Sequence, residues 1–538
     1  MSRGCAPAAA VRRPFARLLR GPLLAAALAL APLAQAQDAA PATFEISSFS
    51  VEGNTVLAAA EIDAALAPLT GTTRSFADLQ SAVAVLQGLY ARAGFGAVRV
   101  VLPEQRLSSG AVRIEVVEST LRQVNVNGPA PHVDAASVRR SLPALRPGAT
   151  PNTDDLARQL RLANENPSRQ LSVDLRSDSP GQIDAVVSVV QDKPWKVGAV
   201  FDNTGTPATG RTRIGAFFQH ANVADRDHVA TLQYVTSPDR PGDVTIGALN
   251  YRVPLPWLGD SIDLYGIYAD VSAGVVSDLF NVRGSGTVVG ARFNQNLRPT
   301  SNYRHRLLYG LEHRRIDNRI GLIGGSPDLV PDVTLHPASV GYAGTWSDPS
   351  RQLDFSGTAS HNFPGGSNGG GAAFAAARAG ASASYAVVRY AAKAVQTLRL
   401  DWQLRAAVDG QYTRDALVSG EQFGIGGQDS VRGFDERELS NDIGNRATLE
   451  LQTPNFGERL GAGVIARALV FLDHGWLRRN QALPGEAVRN HISSVGVGLR
   501  LSLPPSWNLH VDAAHVTLGT ASRPRGDDRL LFSIGYAH

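Results

Sequence analysis

The sequence predicts two small α+β units followed by a transmembrane antiparallel β-barrel of about sixteen strands. Three observations support this fold class. Residues 44–119 and 120–192 repeat one order of elements, β-α-α-β-β. From Lys193 onward the helical periodicity disappears, and polar and apolar residues alternate in segments long enough to cross a membrane at a tilt. The connections between these segments alternate between long and short, which is typical of outer-membrane barrels.

The composition excludes a polytopic helical membrane protein. The 538 residues are 43% hydrophobic, and the mean hydropathy is −0.10. No segment after residue 36 approaches the roughly 20 continuous apolar residues that a spanning helix needs. A β-barrel is compatible with these values, because its strands alternate lipid-facing and lumen-facing residues and so average to a neutral hydropathy.

The first 36 residues predict a secretory signal peptide that is cleaved before Gln37. This segment contains five arginines and no acidic residue: Arg3, Arg12, Arg13, Arg17 and Arg20. An apolar run over Leu23–Leu33, too short for a membrane anchor, leads to the small-residue cleavage site Ala34-Gln35-Ala36. Cleavage removes the only cysteine, Cys5, and leaves 47 Lys and Arg against 48 Asp and Glu. This balance gives no reason to expect a nucleic-acid partner.

The two α+β units are predicted from matched strands and helices. In the first, a second helix is marked by Leu79, Val83, Leu86 and Tyr90, which share one helical face. The first unit has strands at Phe49–Asn54, Val98–Leu102 and Ala111–Val117 and a helix over Leu57–Leu69; the second has strands at Val124–Gly128, Gln170–Leu175 and Ile183–Val190, a helix over Asp134–Leu142 and a turn at Pro180-Gly181.

The barrel strands are predicted from alternation, which is clearest over Leu398–Val408, Ala447–Gln452 and Val495–Leu503. Sixteen segments are expected to begin near Pro194, Gly210, Asp227, Asp243, Asp260, Ser285, Tyr303, Val333, Gln352, Gly380, Gln396, Asp442, Val464, His491, Trp507 and Arg529. The lumen is expected to be wide and polar, because the face away from lipid carries Arg292, Asn294, Arg304, Arg306, Glu312 and Arg314.

Long connections are predicted at Ser272–Gly284, Asp317–Asp332, Pro364–Ala379, Thr413–Asn441 and Gly475–Asn490, and short ones at Asn222–Arg226, Ser347–Arg351, Ala392–Val395 and Pro504–Ser506.

Enzyme motifs are absent from the sequence. There is no G-x-S-x-G, H-E-x-x-H or Walker loop, and the 12 histidines show no metal-ligand spacing. The sequence therefore predicts no catalytic residue, no metal and no cofactor.

Four local motifs carry a resemblance to a known family. They are Val431-Arg432-Gly433-Phe434 in the longest connection, Phe471-Leu472-Asp473-His474-Gly475 at the end of the thirteenth segment, Asp202-Asn203-Thr204-Gly205 with Thr209, Gly210 and Arg213 at the first hairpin, and Asn166-Pro167-Ser168-Arg169 in the second repeat. With the repeats and the barrel, they resemble the outer-membrane transporters of two-partner secretion, the hemolysin and filamentous-hemagglutinin secretion/activation family.

The resemblance implies a division and a set of partners. Residues 44–119 and 120–192 would be periplasmic polypeptide-transport-associated (POTRA) domains, and residues 193–538 a Gram-negative outer-membrane barrel with the segment 413–441 folded inward. The partners implied are a large secreted exoprotein, held through its N-terminal secretion region, outer-membrane lipid, and the barrel-assembly machinery during biogenesis. The transporter is expected to work without nucleotide and as a monomer.

Two sets of site residues follow. Asp473 has the strand parity of Arg467, which directs it into the lumen, so a loop folded inward would bring Arg432 against it. The companion motif positions are Val431, Gly433, Phe434, Phe471 and Gly475. Exposed strand edges in the repeats would bind an extended cargo through main-chain hydrogen bonds, with candidates at Val98, Val100, Leu102, Leu171, Val173 and Leu175.

Two rival functions remain compatible with a barrel. A barrel-assembly or insertion factor of the same superfamily would carry three to five repeats, whereas about two are found here. A passive porin has no need of about 150 residues before its barrel.

Overall fold

The computed structural model describes residues 43–538 except 108, 129–133, 180, 208, 271–274, 278–279, 282–284 and 318–330. The predicted signal peptide, Pro180 of the predicted turn, and most of the connections Ser272–Gly284 and Asp317–Asp332 lie outside the described residues. No helix within the described ranges is long and apolar enough to cross a membrane.

The first repeat packs two helices on a three-stranded sheet. Its elements are β1 (Phe44–Ile46), β2 (Ser48–Glu52), α1 (Ala59–Leu66), β3 (Gly71–Arg74), α2 (Phe76–Arg92), β4 (Arg99–Val101) and β5 (Ala111–Val117), with a 3-10 helix at Ala67–Leu69. A capping box between Ser75 and Asp78 starts α2, and Leu79, Leu86 and Tyr90 are buried against the sheet as the periodicity predicts. The pairing of β1 with β3 is an addition that the sequence did not predict.

The second repeat has the same order and its own apolar core. It consists of β6 (Thr120–Asn127), α3 (Ala135–Ser141), α4 (Thr153–Ala163), β7 (Arg169–Ser179) and β8 (Gln182–Gln191). In both repeats the last strand is central: the sheet orders are β2-β5-β4 and β6-β8-β7. Each sheet therefore has two edge strands. β4 is the edge strand of the hairpin in the first repeat and β7 that in the second, and β7 is by far the longer.

Most of the remaining strands form a closed antiparallel barrel. The remaining strands are β9 (Trp195–Asp202), β10 (Arg213–Val223), β11 (His228–Thr236), β12 (Thr245–Leu255), β13 (Asp260–Asp270), β14 (Val275–Ser277), β15 (Phe280–Asn281), β16 (Gly286–Asn296), β17 (Tyr303–Ile316), β18 (Val333–Leu335), β19 (Pro337–Asp348), β20 (Arg351–Asn362), β21 (Ala386–Thr397), β22 (Gln403–Thr413), β23 (Phe423–Ile425), β24 (Leu439–Asn441), β25 (Ile443–Gln452), β26 (Ile465–Arg478), β27 (Arg489–Leu503), β28 (Trp507–Leu518) and β29 (Asp528–Ala537). A short helix, α5 (Gly371–Ala377), lies between β20 and β21.

The barrel has sixteen strands, since β18 and β19 both pair with β17 and form one interrupted strand. The strand pairs β14–β15 and β23–β24 lie outside it in the connections. The barrel closes between its first and last strands, where β9 and β29 are paired from Gly198–Ala537 to Asp202–Ser533. This seam has five paired positions, whereas β26 and β27 have fourteen.

Two sequence predictions about strand ends are wrong. The alternation over Leu398–Val408 does not form one strand: β21 runs to Thr397, a tight turn follows, and β22 begins at Gln403. Leu400 and Asp401 have positive φ angles in that turn, and Leu400 is 85% exposed. The alternation continues through the turn because apolar side chains also suit a connection at the membrane boundary. The predicted short connection Ala392–Val395 consequently lies inside β21.

The motif Phe471-Leu472-Asp473-His474-Gly475 lies inside β26, which continues to Arg478, and does not end that strand as the sequence predicted. The long connection after it is therefore shorter, at 479–488. The connection between β22 and β25 runs inward from the wall. Its side chains Leu417, Ile425, Val431 and Phe434 are fully buried, against the lumen face of the barrel.

Candidate functional site in the barrel lumen

Arg432 lies at the tip of this inward loop and contacts Asp473 on β26. Its Nε donates to Oδ2 of Asp473 at 2.7 Å and its Nη2 donates to Oδ1 at 2.8 Å. The main-chain N–H of Arg432 donates to Oδ2 as well, at 3.1 Å. Arg432 is 3% exposed and Asp473 is fully buried. The two side chains form a bidentate, desolvated ion pair, the geometry for which a guanidinium is suited and an ammonium is not.

Two further carboxylates and a second arginine complete the cluster. Nη1 of Arg432 donates to Oε1 of Glu450 on β25 at 2.8 Å and lies 3.6 Å from Oδ1 of Asp512 on β28. Arg500 on β27 pairs with Asp512 at 2.8 Å. Burial alone would lower the pKa of Arg432, but hydrogen bonding and attraction from Asp473, with further attraction from Glu450 and Asp512, raise it above the ordinary value. We call these five residues the arginine lock.

The rest of the loop tip is held by packing. The guanidinium carbon of Arg432 lies 3.4 Å from the ring centroid of Phe471, a close cation–π contact. Val431 and Phe434 are buried in one apolar cluster with residues of β26, β27 and β28. Gly433 has a φ of +97°, a conformation that favours glycine.

Gly475 explains how the loop approaches the wall so closely. A Cβ atom at this position would lie 2.9 Å from Cδ1 of Ile425 and 3.1 Å from Cγ2 of Val431, both on the loop. Any side chain there would therefore push the loop off β26. The two motifs that the sequence singled out, Val431–Phe434 and Phe471–Gly475, are in direct contact through Arg432, Asp473, Phe471 and Gly475.

The other end of the loop is anchored on a different part of the wall. Glu421, which is 1% exposed, accepts hydrogen bonds from Arg314 on β17 at 2.5 Å and from Arg389 on β21 at 2.8 Å. Nearby, the buried Asp442 pairs with Arg378 and accepts the main-chain N–H of Asn480 at 2.7 Å. We call Glu421 with its two arginines the glutamate anchor. Since the two clusters use strands on different sides of the barrel, the loop crosses the lumen.

Sequence reasoning missed Glu421, Glu450, Asp512 and Arg500. The alternation does direct Glu450 away from lipid, but nothing local indicates which lumen charges meet a loop from elsewhere in the chain. The chemistry of both clusters is ion pairing and hydrogen bonding. Within the described ranges, no three His, Cys, Asp or Glu side chains are grouped so that they could hold a metal ion.

The predicted strand-edge residues point mainly inward. Val98, Val100 and Leu171 are buried in the two repeat cores, and Val173 and Leu175 pack partly against the second one. Leu102 follows β4 and packs against the first core. The part of these edges that faces outward is consequently the main chain and not these side chains.

The second repeat is fixed to the turns at the same end of the barrel. Arg169 pairs with Asp227 at 2.7 Å, Arg252 with Glu165 at 3.1 Å, and Arg298 with Asp154 at 3.0 Å. A closed antiparallel barrel of sixteen strands, with an inward loop locked on its wall and small α+β domains seated on one mouth, is the architecture of an outer-membrane β-barrel protein.

Comparison with known proteins identifies the family. The family model of haemolysin secretion/activation protein ShlB/FhaC/HecB matches residues 181–501, and that of the ShlB-type POTRA domain matches residues 44–119. The chain belongs to this family and is an outer-membrane transporter of two-partner secretion, with its N-terminal domains in the periplasm.

Relatives and solved structures agree with this membership. The outer membrane transporter CdiB of Escherichia coli is 26% identical over 461 residues, which cover 82% of this chain and 74% of that protein. The solved structure of CdiB from Escherichia coli has a TM-score of 0.73 at 20% identity, covering 95% of this chain and 93% of that one. The structure of CdiB from Acinetobacter baumannii has a TM-score of 0.68 at 16% identity, covering 93% and 90%. These two structures show a shared fold.

Proposed function

We propose that the loop between β22 and β25 closes the lumen at rest and leaves its seat when the partner exoprotein passes. The single observation that carries this proposal is the arginine lock, because it joins the loop tip to three strands at once. Removing one partner of a buried ion pair leaves the other charge uncompensated and strongly destabilises the seated loop. The seating is also reversible, since water or a passing chain that solvates both partners replaces most of the interaction free energy of the pair.

The transporter works through binding and not through catalysis. Transport draws on differential binding of an extended cargo and on its folding outside the cell, so no nucleotide, metal or other cofactor is required. We infer that the chain is not an enzyme and acts as a monomer, and that its partner is a large exoprotein recognised through its N-terminal secretion region. Outer-membrane lipid surrounds the barrel, and the barrel-assembly machinery inserts it.

We assign residues 44–119 and 120–192 to two cargo-binding POTRA domains, residues 193–538 to the barrel, and residues 1–36 to the signal peptide. β7 is the preferred cargo edge, because it has eleven residues against three in β4. In the sheet order β6-β8-β7, its other side has no strand partner among the described residues. An extended segment added there gains main-chain hydrogen bonds with little demand on its sequence.

The lumen-closing role is tested in planar bilayers with the full chain. Deleting Thr413–Asn441 removes both loop clusters, and we expect a larger and steadier conductance than the fluctuating channel of the parent. Heat-modifiable mobility on gels controls for barrel assembly. A correctly assembled deletion variant that conducts as the parent does would mean that the loop does not close the lumen.

A further inference from the structure

A cavity of about 1120 Å³ lies where the second POTRA domain meets the barrel mouth. One wall is α4 of that domain, and the other walls are β17, β19, β20, β21 and the connection 297–302. The arginine lock and the glutamate anchor are absent from its lining, so this cavity is separate from the loop site. We call it the vestibule.

The vestibule walls carry more positive than negative charge. The cations are Arg161 on α4, Arg304 and Arg306 on β17, and Lys393 on β21; the carboxylates are Glu165 and Asp354. Cations therefore line opposite walls, one from the periplasmic domain and the others from the barrel. Such a concave, like-charged surface attracts ligands of opposite charge.

Both carboxylates of the vestibule are already engaged by other groups. Glu165 accepts from Arg252 at 3.1 Å and lies 4.0 Å from Arg306. Asp354 accepts from Oγ1 of Thr345 and from Nε2 of Gln352, each at 2.7 Å. Neither carboxylate forms an ion pair with Arg161, Arg304 or Lys393.

Arg161 is the cation that the second POTRA domain contributes to the vestibule wall. Its Nε and Nη2 atoms are buried and have no hydrogen-bond partner among the described residues. Burial lowers the pKa of Arg161, with Arg306 and Arg304 adding repulsion, while attraction from Glu165 and Asp260 opposes this. Buried donors without partners cost free energy, and the positive charge of Arg161 adds to the potential of the cavity that its side chain lines.

We propose that the vestibule binds the carboxylate side chains of an extended acidic segment of the partner exoprotein. This proposal rests on the proposed function, since the cargo must enter by this mouth. A polypeptide fits better than a single small anion because the cations stand on separate walls of a large cavity. Gln170 of β7 also lines the vestibule, so a cargo strand added along β7 leads directly into it.

The test measures peptide binding to the full-length protein in detergent by fluorescence anisotropy. Three labelled peptides of equal length alternate Ser with Glu, with Gln or with Lys. We expect the Glu peptide to bind about tenfold more tightly than the Lys peptide, with the gap shrinking as salt is added. Equal binding of the Glu and Lys peptides would overturn the proposal.

Two sets of variants assign the effect to the vestibule. The double variant Arg304→Gln and Lys393→Gln should weaken Glu-peptide binding about tenfold and leave Gln-peptide binding unchanged. The matched control, Arg315→Gln with Arg351→Gln, removes two arginines whose strand parity directs them away from the lumen and should change neither affinity. An equal loss in the control would contradict a local site, as would ready displacement of the Glu peptide by inorganic phosphate.

Arg161→Gln supplies a readout that a structural role would not give. Because its buried donors have no partner at rest, the variant should keep the parent's unfolding temperature while losing Glu-peptide affinity. A lowered unfolding temperature with unchanged affinity would make Arg161 structural and overturn its assignment. The proposed function has its own test: it is wrong if deleting the loop leaves the conductance unchanged. That result would not alter the outcome of the peptide-binding test.

Discussion

The two halves of the lumen differ in how their charges are satisfied. In the half crossed by the loop, Arg432, Glu421 and Asp442 are each buried against charges of opposite sign. At the POTRA mouth, Arg304 and Lys393 face open space and Arg161 keeps buried donors without partners. Paired charges thus hold the loop in the lumen, whereas the cations at the POTRA mouth line a cavity that a charged ligand can reach.

Within the closed half, the arginine lock and the glutamate anchor also differ. Removing Arg432 leaves Asp473 and Glu450 without their main cation. Removing the charge of Glu421 leaves Arg314 with Glu312 and leaves Arg389 with Gln411, to which its Nε donates at 2.8 Å. The lock should therefore be the more sensitive of the two clusters to single substitutions.

The largest effect is expected for Arg432→Ala and Asp473→Ala. Arg432→Ala leaves the fully buried Asp473 without its cation, at a cost of about 3 to 5 kcal/mol to the seated loop. Asp473→Ala leaves Arg432 with Glu450 and Asp512 and should cost less. We expect secretion of the exoprotein to fall in both variants while barrel assembly is unaffected. The double variant should cost less than the two single costs added together. Lysine at 432 should restore little, because an ammonium cannot reproduce the bidentate contact. Secretion is measured beside outer-membrane levels and heat-modifiable mobility.

Strictly additive losses in the double variant, or full secretion by Arg432→Lys, would remove the pairing from the mechanism. The family membership of the chain would stand in either case.

Gly475→Val should destabilise the seated loop by a smaller amount. The new side chain would meet Ile425 and Val431, and overpacking of this kind costs about 1 to 3 kcal/mol. The loop should leave its seat more often, which single-channel recording would detect as a greater open probability. Ala468→Val, which adds two carbons on the opposite face of the same strand, serves as the control and should conduct normally. An unchanged open probability in Gly475→Val would mean that the loop does not rest on β26.

The glutamate anchor should respond more weakly still. Glu421→Gln retains the shape of the side chain and leaves both arginines with second partners, so we expect a lower barrier to loop movement with secretion largely preserved. Recording the rate of conductance fluctuations checks this. A secretion defect as severe as that of Arg432→Ala would contradict the ranking of the two clusters.

The smallest effect is a pH dependence from Glu436, which lies in the loop. Burial raises the pKa of Glu436 to about 7, against a hydrogen bond from the N–H of Gln428 that favours the charged form. The pKa of Glu436 is raised when the loop is seated, so its ionised carboxylate destabilises the seated loop above about pH 7. As the pH falls below that value, the carboxylate is protonated and the destabilisation is lost. Open probability should thus be greater at about pH 8 than at about pH 6. The variant Glu436→Gln should lose this difference, and its persistence there would assign it to another group.

The sequence predicted the side-chain direction along each strand better than the residues at which the strand begins and ends. Alternation directed Asp473 into the lumen and correctly separated sixteen strands, since side-chain direction depends only on neighbouring residues. It failed at Leu398–Trp402, because apolar residues continue through a turn whose tip is an exposed Leu400. It was silent on Glu421 and Asp512, whose roles depend on which distant strands the loop reaches. The motif at Val431–Phe434 was found through a resemblance and not from the physical pattern alone.

The short seam between β9 and β29 has a consequence for local opening. Five residue pairs, reciprocal main-chain hydrogen bonds between Val197 and His538, and hydrogen bonds of Asn203 with Leu530 and Phe532 join the two strands. Separating them therefore breaks fewer hydrogen bonds than separating β26 from β27, which are paired at fourteen positions. Free energies of opening vary across a structure with the number of bonds broken. In deuterated buffer, the amide protons of Gly198–Asp202 should therefore exchange well before those of β26, so isotope uptake would start at the seam and spread outward around the ring.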